Sequence, residues 1–246
     1  MSEHIQTAVV TGASRGFGRA IAATLVAAGY RVVGIARTGS DLDEVRAELG
    51  DRFIPVTGDA TDEALAAQVI RDHRPGLLVL NAGARPHLAA LPEQTWETFS
   101  TNWHTDTHHA FTWMRTALLA PLAPGSTVLA VSSGAALNGS PLSGGYAGAK
   151  AAIRFLRTYA ADESDRTALG LRFLALLPRL TPVTGLGSEA VAGYAARSGV
   201  DVETFLATQQ PVLTADQVAK AVLELTTDPA SSGEYLVSAA GIKPLA

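Results

Sequence analysis

Tyr146 and Lys150 stand four residues apart in Tyr146-Ala147-Gly148-Ala149-Lys150. On a helix that spacing puts a phenol and an ammonium on one face, within reach of each other. A free tyrosine has a pKa of about 10, too high for a base at neutral pH. A neighbouring ammonium favours the phenolate and lowers that value. Such a pair can carry a proton to or from an alcohol oxygen. Alone the pattern is weak, because it recurs by chance on helix surfaces. Thirteen residues upstream of Tyr146, the apolar run Val128–Val131 leads into Ser132-Ser133. A hydroxyl at a strand's carboxyl end lies where open α/β sheets bind ligands. Ser133 could therefore hold a substrate carbonyl and stabilise its developing negative charge. Its plainer alternative is a helix cap or a turn residue.

A second group of residues binds rather than reacts. Thr7-Ala8-Val9-Val10 runs straight into Thr11-Gly12-Ala13-Ser14-Arg15-Gly16-Phe17-Gly18, and a helical pattern follows. Glycines let a backbone turn tightly and approach a pyrophosphate. The helix N-terminus behind them offers free N–H groups and partial positive charge. The spacing is G-x-x-x-G-x-G rather than the commoner G-x-G-x-x-G. Gly12, Ser14, Arg15, Gly16, Phe17 and Gly18 are the expected phosphate cradle. Nineteen residues after Gly18 comes Arg37, then Thr38, with no Asp or Glu between Tyr30 and Ser40. An acidic residue there would accept a bond from the ribose 2′-hydroxyl of NAD. A guanidinium instead holds a 2′-phosphate through two parallel bonds. Arg15 adds a second positive charge, so NADP(H) is the expected cofactor.

These groups need a frame. The 246 residues are 47% hydrophobic and 17% charged, enough to bury a large core and unlike a disordered chain. The net charge of −4 is spread along the chain without a basic run, which argues against a nucleic-acid partner. There is no cysteine, which removes thiol nucleophiles and disulfides and suits a reducing cytoplasm. Met1-Ser2-Glu3-His4-Ile5-Gln6 lacks a leader pattern, and no apolar run is long enough to span a membrane, so a cytoplasmic, soluble protein is expected. Apolar runs at Thr7–Val10, Arg31–Ala36, Phe53–Val56, Leu77–Leu80, Thr127–Ser132, Leu171–Leu177 and Glu234–Val237 alternate with amphipathic segments. Near-continuous apolar strands are covered on both faces. The alternation predicts an α/β fold: one Rossmann-like, doubly wound parallel sheet of about seven strands, with helices on both faces, over residues 1–246. Long helices are expected at Pro92–Leu122 and Ser143–Asp165. Thr181–Pro211, with four glycines and two prolines, breaks the rhythm and reads as a long substrate lid.

Taken together these residues resemble the short-chain dehydrogenase/reductase family, in its branch of about this length. The resemblance spans nearly the whole chain. It rests on the loop Thr11–Gly18, on Asn81-Ala82-Gly83-Ala84 after the fourth strand, on Ser133, and on Tyr146 with Lys150. It implies an NADPH-dependent ketoreductase-type enzyme passing hydride between a nicotinamide and a carbonyl or alcohol. Tyr146 is implied as general acid and base. Lys150 is implied to tune it and bind the nicotinamide ribose, and Ser133 to place the substrate oxygen. Asn102 is implied to hold a water in the proton relay. Asp59-Ala60 is implied to bracket the adenine, and Asn81-Ala82-Gly83 to pack beside the adenosine. Relatives are usually homotetramers or homodimers through the two long helices.

Two departures stand out. Where the family usually has Pro-Gly after the sixth strand, this chain has Pro178-Arg179. Arg179 could face the mouth and favour an anionic or oxygen-rich substrate, or simply lie exposed. The carboxamide-touching threonine is either Thr181 or Thr184. After the last strand, Val237-Ser238-Ala239-Ala240-Gly241 replaces the usual Asp-Gly-Gly. His104 and His108 are four apart, but Asp106 points elsewhere on an ideal helix, so no metal is expected. A lyase or epimerase on the same fold, or an NADP-binding sensor without turnover, are the alternatives.

Overall fold

The computed structural model describes residues 6–120, 122–182 and 184–245. The leader reading at Met1–Ile5 lies outside them. Strands form where the apolar runs predict them, each within one residue: β1 Thr7–Thr11, β2 Arg31–Ala36, β3 Phe53–Thr57, β4 Leu77–Leu80, β5 Thr127–Val131, β6 Arg172–Pro178 and β7 Gly233–Ser238. All seven pair in parallel. An eighth strand, β8 Gly241–Leu245, turns back antiparallel on β7. The order is β3-β2-β1-β4-β5-β6-β7-β8. The chain's direction across the sheet reverses between β1 and β4. That switch point opens a crevice at the strands' carboxyl ends, where such sheets bind ligands.

Helices fill the crossovers: α1 Gly16–Ala27, α2 Gly39–Leu49, α3 Glu63–His73, α4 Trp96–Asn102, α5 His108–Leu119, α6 Ala135–Asn138, α7 Gly144–Arg166, α8 Gly185–Arg197, α9 Val202–Ala207 and α10 Ala215–Thr227. Side chains alternate across each strand. Ala8, Val10, Leu77, Val79, Leu129 and Leu174 face one apolar layer with Ile21, Leu25, Leu42, Val45, Val218 and Val222 from α1, α2 and α10. Val9, Leu78, Leu80, Val128, Ala130 and Phe173 face the other, with Val69, Ile70, Trp113, Met114 and Ile153 from α3, α5 and α7. Burial on both faces explains why the central strands β1, β4, β5 and β6 are nearly continuous in apolar residues.

Two expectations are corrected. The segment read as one helix over Pro92–Leu122 starts at Trp96, where Thr95 caps the Thr98 N–H at 3.2 Å. It is then interrupted by a π-helical turn over Trp103–Thr107 before α5 resumes. The segment read as a glycine-rich loop over Thr181–Pro211 holds α8 and α9, capped by the Thr184 hydroxyl and the Asp201 carboxylate. Gly187 serves close packing, since a Cβ there would stand 1.7 Å from the Thr181 carbonyl oxygen, and Gly199 serves the turn after α8 with φ of +69°.

Candidate active site

The cradle begins where β1 ends. Gly12 and Gly16 have φ of +67° and +55°, values that favour glycine. Gly18 has no room for a side chain: its Cβ would lie 2.0 Å from the Gly12 carbonyl oxygen. Arg15 precedes α1 without a side-chain cap, and the helix's first residues, Gly16 and Phe17, lie on the cleft wall. The Thr11 hydroxyl stitches the switch point. It donates to the Val79 carbonyl and accepts from the N–H groups of Asn81 at 2.9 Å and Ala82 at 3.1 Å. The Asn81 amide donates to the Thr11 carbonyl at 3.1 Å. These bonds tie the end of β1 to the chain that follows β4. Asp59 accepts from the Thr61 N–H and hydroxyl at 2.9 and 2.8 Å, which holds its carboxyl below the usual range, and the nearby Arg37 charge acts the same way. Trp113 donates its indole N–H to the Ala60 carbonyl at 2.8 Å, fixing the Asp59-Ala60 turn from behind.

One cleft of about 1040 Å³ joins this cradle to the expected reacting groups. Its walls include Gly12, Ser14, Arg15, Gly16, Phe17, Arg37, Thr38, Asp59, Ala60, Asn81, Ala82 and Gly83. They continue through Ser133, Tyr146, Lys150, Pro178, Thr181 and Thr184. Gly18 and Asn102 are not on its walls. Both candidate threonines are engaged within the protein: Thr181 donates to the Leu213 carbonyl, and Thr184 caps α8. Arg179 is exposed and its backbone N–H continues the pairing with β7 by bonding Val237 O at 3.0 Å. α8 is tied to the loops around the cleft by two contacts. Tyr194 of α8 hydrogen-bonds Ser140, and Arg85 pairs with Glu189 of α8 at 2.7 Å.

Tyr146 and Lys150 lie in the first two turns of α7, with the ammonium 5.6 Å from the phenol ring centre. Lys150 is buried and donates to the Val131 carbonyl at 3.1 Å, while the Ser132 hydroxyl donates to the Lys150 carbonyl at 2.7 Å. These bonds tie α7 to the end of β5, which brings Ser133 beside Tyr146. Burial pushes the Tyr146 phenol above its ordinary value. Lys150 and a Ser133 hydrogen bond act against that rise, and Asp106 and Tyr194 add to it. The lowering expected from Lys150 alone is therefore outweighed, because a phenolate is costly to desolvate.

Two buried groups on the interrupted helix were missed. Asn102 does not reach Lys150. Its amide donates to the Ala84 carbonyl at 2.9 Å and to Asp106 at 3.3 Å. The group facing Lys150 is Asp106, with Oδ2 3.2 Å from the ammonium. Burial alone would lower the lysine; the Asp106 and Tyr146 charges outweigh it and hold the ammonium above its ordinary value. His109, one turn on, is buried and carries an unpartnered Nε2. Burial, with the Lys150 charge, depresses it to about 3. Asp106 faces inward on the same helical face as Asn102, His109 and Trp113, which are spaced four, three and four apart and are all buried. Among the described residues no three potential metal ligands gather.

The pattern of the short chain dehydrogenase family matches residues 6–194. A mouse protein, dehydrogenase/reductase SDR family member 1, is 29% identical over 248 residues, covering 91% of this chain and 75% of that one. A probable NADP-dependent dehydrogenase of Haemophilus influenzae is 42% identical over 82 residues, which span 31% of this chain and only 32% of the relative. A crystallised short-chain dehydrogenase of Streptomyces avermitilis superimposes with a TM-score of 0.77 at 28% identity, covering 98% of this chain and 90% of that one. The family pattern runs through most of the chain, and a solved member shares its sheet and helices. The chain belongs to the short-chain dehydrogenase/reductase family.

Proposed function

We propose that this protein is an NADPH-dependent oxidoreductase that interconverts a carbonyl compound and its alcohol. The observation that carries the reading is the convergence of Ser133, Tyr146 and Lys150 on the cleft that the glycine loop opens into. A site for binding alone has no need of that proton-transfer set. The tight loop and uncapped α1 fit a pyrophosphate. Arg15 and Arg37 line the same cleft, and among the described residues neither is in an ion pair. That leaves both guanidiniums for a 2′-phosphate, in line with the NADP in the Haemophilus relative's name.

A reduced nicotinamide held by the glycine loop and the cleft walls would supply the hydride that the carbonyl carbon takes up. The chain's own groups handle the proton. Ser133 donates a hydrogen bond to the carbonyl oxygen and favours the charge that develops there. Tyr146 delivers its phenolic proton to that oxygen as it becomes a hydroxyl, and takes it back in alcohol oxidation. Lys150 keeps the resulting phenolate from standing alone. The helices of Thr181–Pro211 act as the lid over the substrate, with Arg179 at its mouth. Phe111 and Leu119 of α5 and Phe155 and Tyr159 of α7 are exposed by 48, 66, 76 and 74%, an apolar face suited to a second copy of the chain. No described helix is long and apolar enough to cross a membrane. The cysteine-free composition suits the cytoplasm.

The test is NADPH absorbance against a panel of ketones, with Tyr146→Phe alongside. Turnover that falls by roughly 10²- to 10⁴-fold in the variant is expected. Binding of NADPH with no turnover on a broad panel would point to a sensor. Product formed without net change in NADPH would point to a lyase or epimerase.

A further inference from the structure

We infer that Asp106 is a positioning residue that keeps the Tyr146/Lys150 pair fully protonated to high pH, biasing the site towards proton donation and hence carbonyl reduction. This rests on the reading of Tyr146 as the proton donor.

Asp106 is 1% exposed and is gripped from three elements. Its Oδ1 accepts from the Ala84 N–H at 2.8 Å, on the loop after β4, and from the Asn102 amide at 3.3 Å, at the end of α4. Its Oδ2 lies 3.2 Å from the Lys150 ammonium on α7. The carboxylate fits under the loop only because Gly83 lacks a side chain: a Cβ there would stand 2.9 Å from Oδ2. Nothing in this arrangement serves Asp106 itself. Every contact fixes where its charge sits, and it sits on the lysine that faces the phenol.

The charge count gives the consequence. With Lys150 alone beside it, Tyr146, at the cleft wall, could release its proton and leave a pair of zero net charge. With Asp106 present the buried site is neutral before the proton leaves and negative afterwards. A low-dielectric surrounding opposes that negative charge. The other groups around the pair do not cancel it. Ser133, facing Tyr146, carries no charge, and Tyr194 acts in the same direction as Asp106. His109, facing Lys150 from α5, is neutral because its pKa is about 3, and Asp59 and His108 face it in turn. Arg85, Arg179 and His104 line the cleft but are exposed, so water screens them. A donor that holds its proton longer is a better match to reduction, where the phenol must be protonated when the carbonyl binds. In oxidation the same charge moves the onset of activity to higher pH, because the base form appears later.

Asp106→Asn separates charge from scaffolding, since an amide oxygen can still accept from Ala84. The measurement is the ultraviolet titration of tyrosinate in the protein without cofactor. Subtracting the matching Tyr146→Phe spectrum isolates Tyr146. In the wild type its midpoint is expected above that of free tyrosine, about 10. In Asp106→Asn it is expected to fall by about one pH unit or more. The alkaline limb of kcat/KM for carbonyl reduction should fall by the same amount. Equal midpoints in the two proteins overturn the inference. If Asp106→Asn does not fold, a wild-type midpoint below that of free tyrosine overturns it as well. Carbonyl turnover with an unmoved midpoint sinks the inference and spares the enzyme reading. A moved midpoint with no carbonyl turnover supports the coupling and sinks the reading of Tyr146 as donor.

Discussion

A proton that His109 cannot keep sets one limit on this protein. Its folded-state pKa of about 3 lies below the ordinary value of 6.5, so the unfolded chain binds the proton more readily. Stability is therefore complete above about pH 6.5 and is lost as pH falls from there towards 3. One such group contributes a slope of up to about 1.4 kcal/mol per pH unit. Denaturation of wild type and His109→Gln between pH 7 and 4.5 should show a shallower loss in the variant; equal slopes would refute the assignment. At the cofactor end, Arg37→Ala should raise the KM for NADPH roughly tenfold or more and leave that for NADH nearly unchanged, because a charge-assisted bond is lost only where a 2′-phosphate exists. An equal change for both cofactors would remove Arg37 from that role. The glycine loop, Arg37, Ser133, Tyr146 and Lys150 were legible because each pattern is local in sequence. Asp106 was not. It lies on a buried helical face with Asn102, His109 and Trp113 whose first three members are polar, so hydropathy does not mark it, and it needs the space left by a glycine 23 positions earlier.

At the scale of elements, the site depends on how closely α7 docks. A Cβ on Gly145 would stand 2.0 Å from the Phe99 carbonyl oxygen on α4. Backbone cannot swing aside as a side chain can. Gly145→Ala should cost roughly 1–3 kcal/mol of stability and lower kcat by displacing the adjacent Tyr146. Thermal unfolding and turnover measured together check this: an unshifted Tm would show that the helices are free to part. The central strands were readable because burial on both faces makes them apolar, while β3 and β7 are only partly buried. α8 was hidden by its own composition, since its glycines and alanines look like loop, and α9, six residues long, is too short to show a helical period. Asp201, which accepts from the Thr204 N–H at 2.7 Å, was the signal that could have revealed α9. β8 was missed because its hairpin turn, Ala239-Ala240, lacks the usual turn residues and its strand holds Lys243 and Pro244.

For the whole molecule, the exposed face of α5 and α7 carries the proposal of self-association. Phe155→Arg places a charge in the centre of that face and leaves the core untouched, since the side chain is 76% exposed. Sedimentation should then show a smaller species than the wild type, with the monomer's fold retained by circular dichroism. An unchanged mass would move any interface elsewhere. The ends of the sheet narrow the choice. β3 and β8 are its two outermost strands, and each contains a proline, Pro55 and Pro244. A proline has no N–H to offer an incoming strand. Both rims are thus poor templates for another chain to zip onto, which protects a wide, apolar sheet from fibril-like stacking end to end.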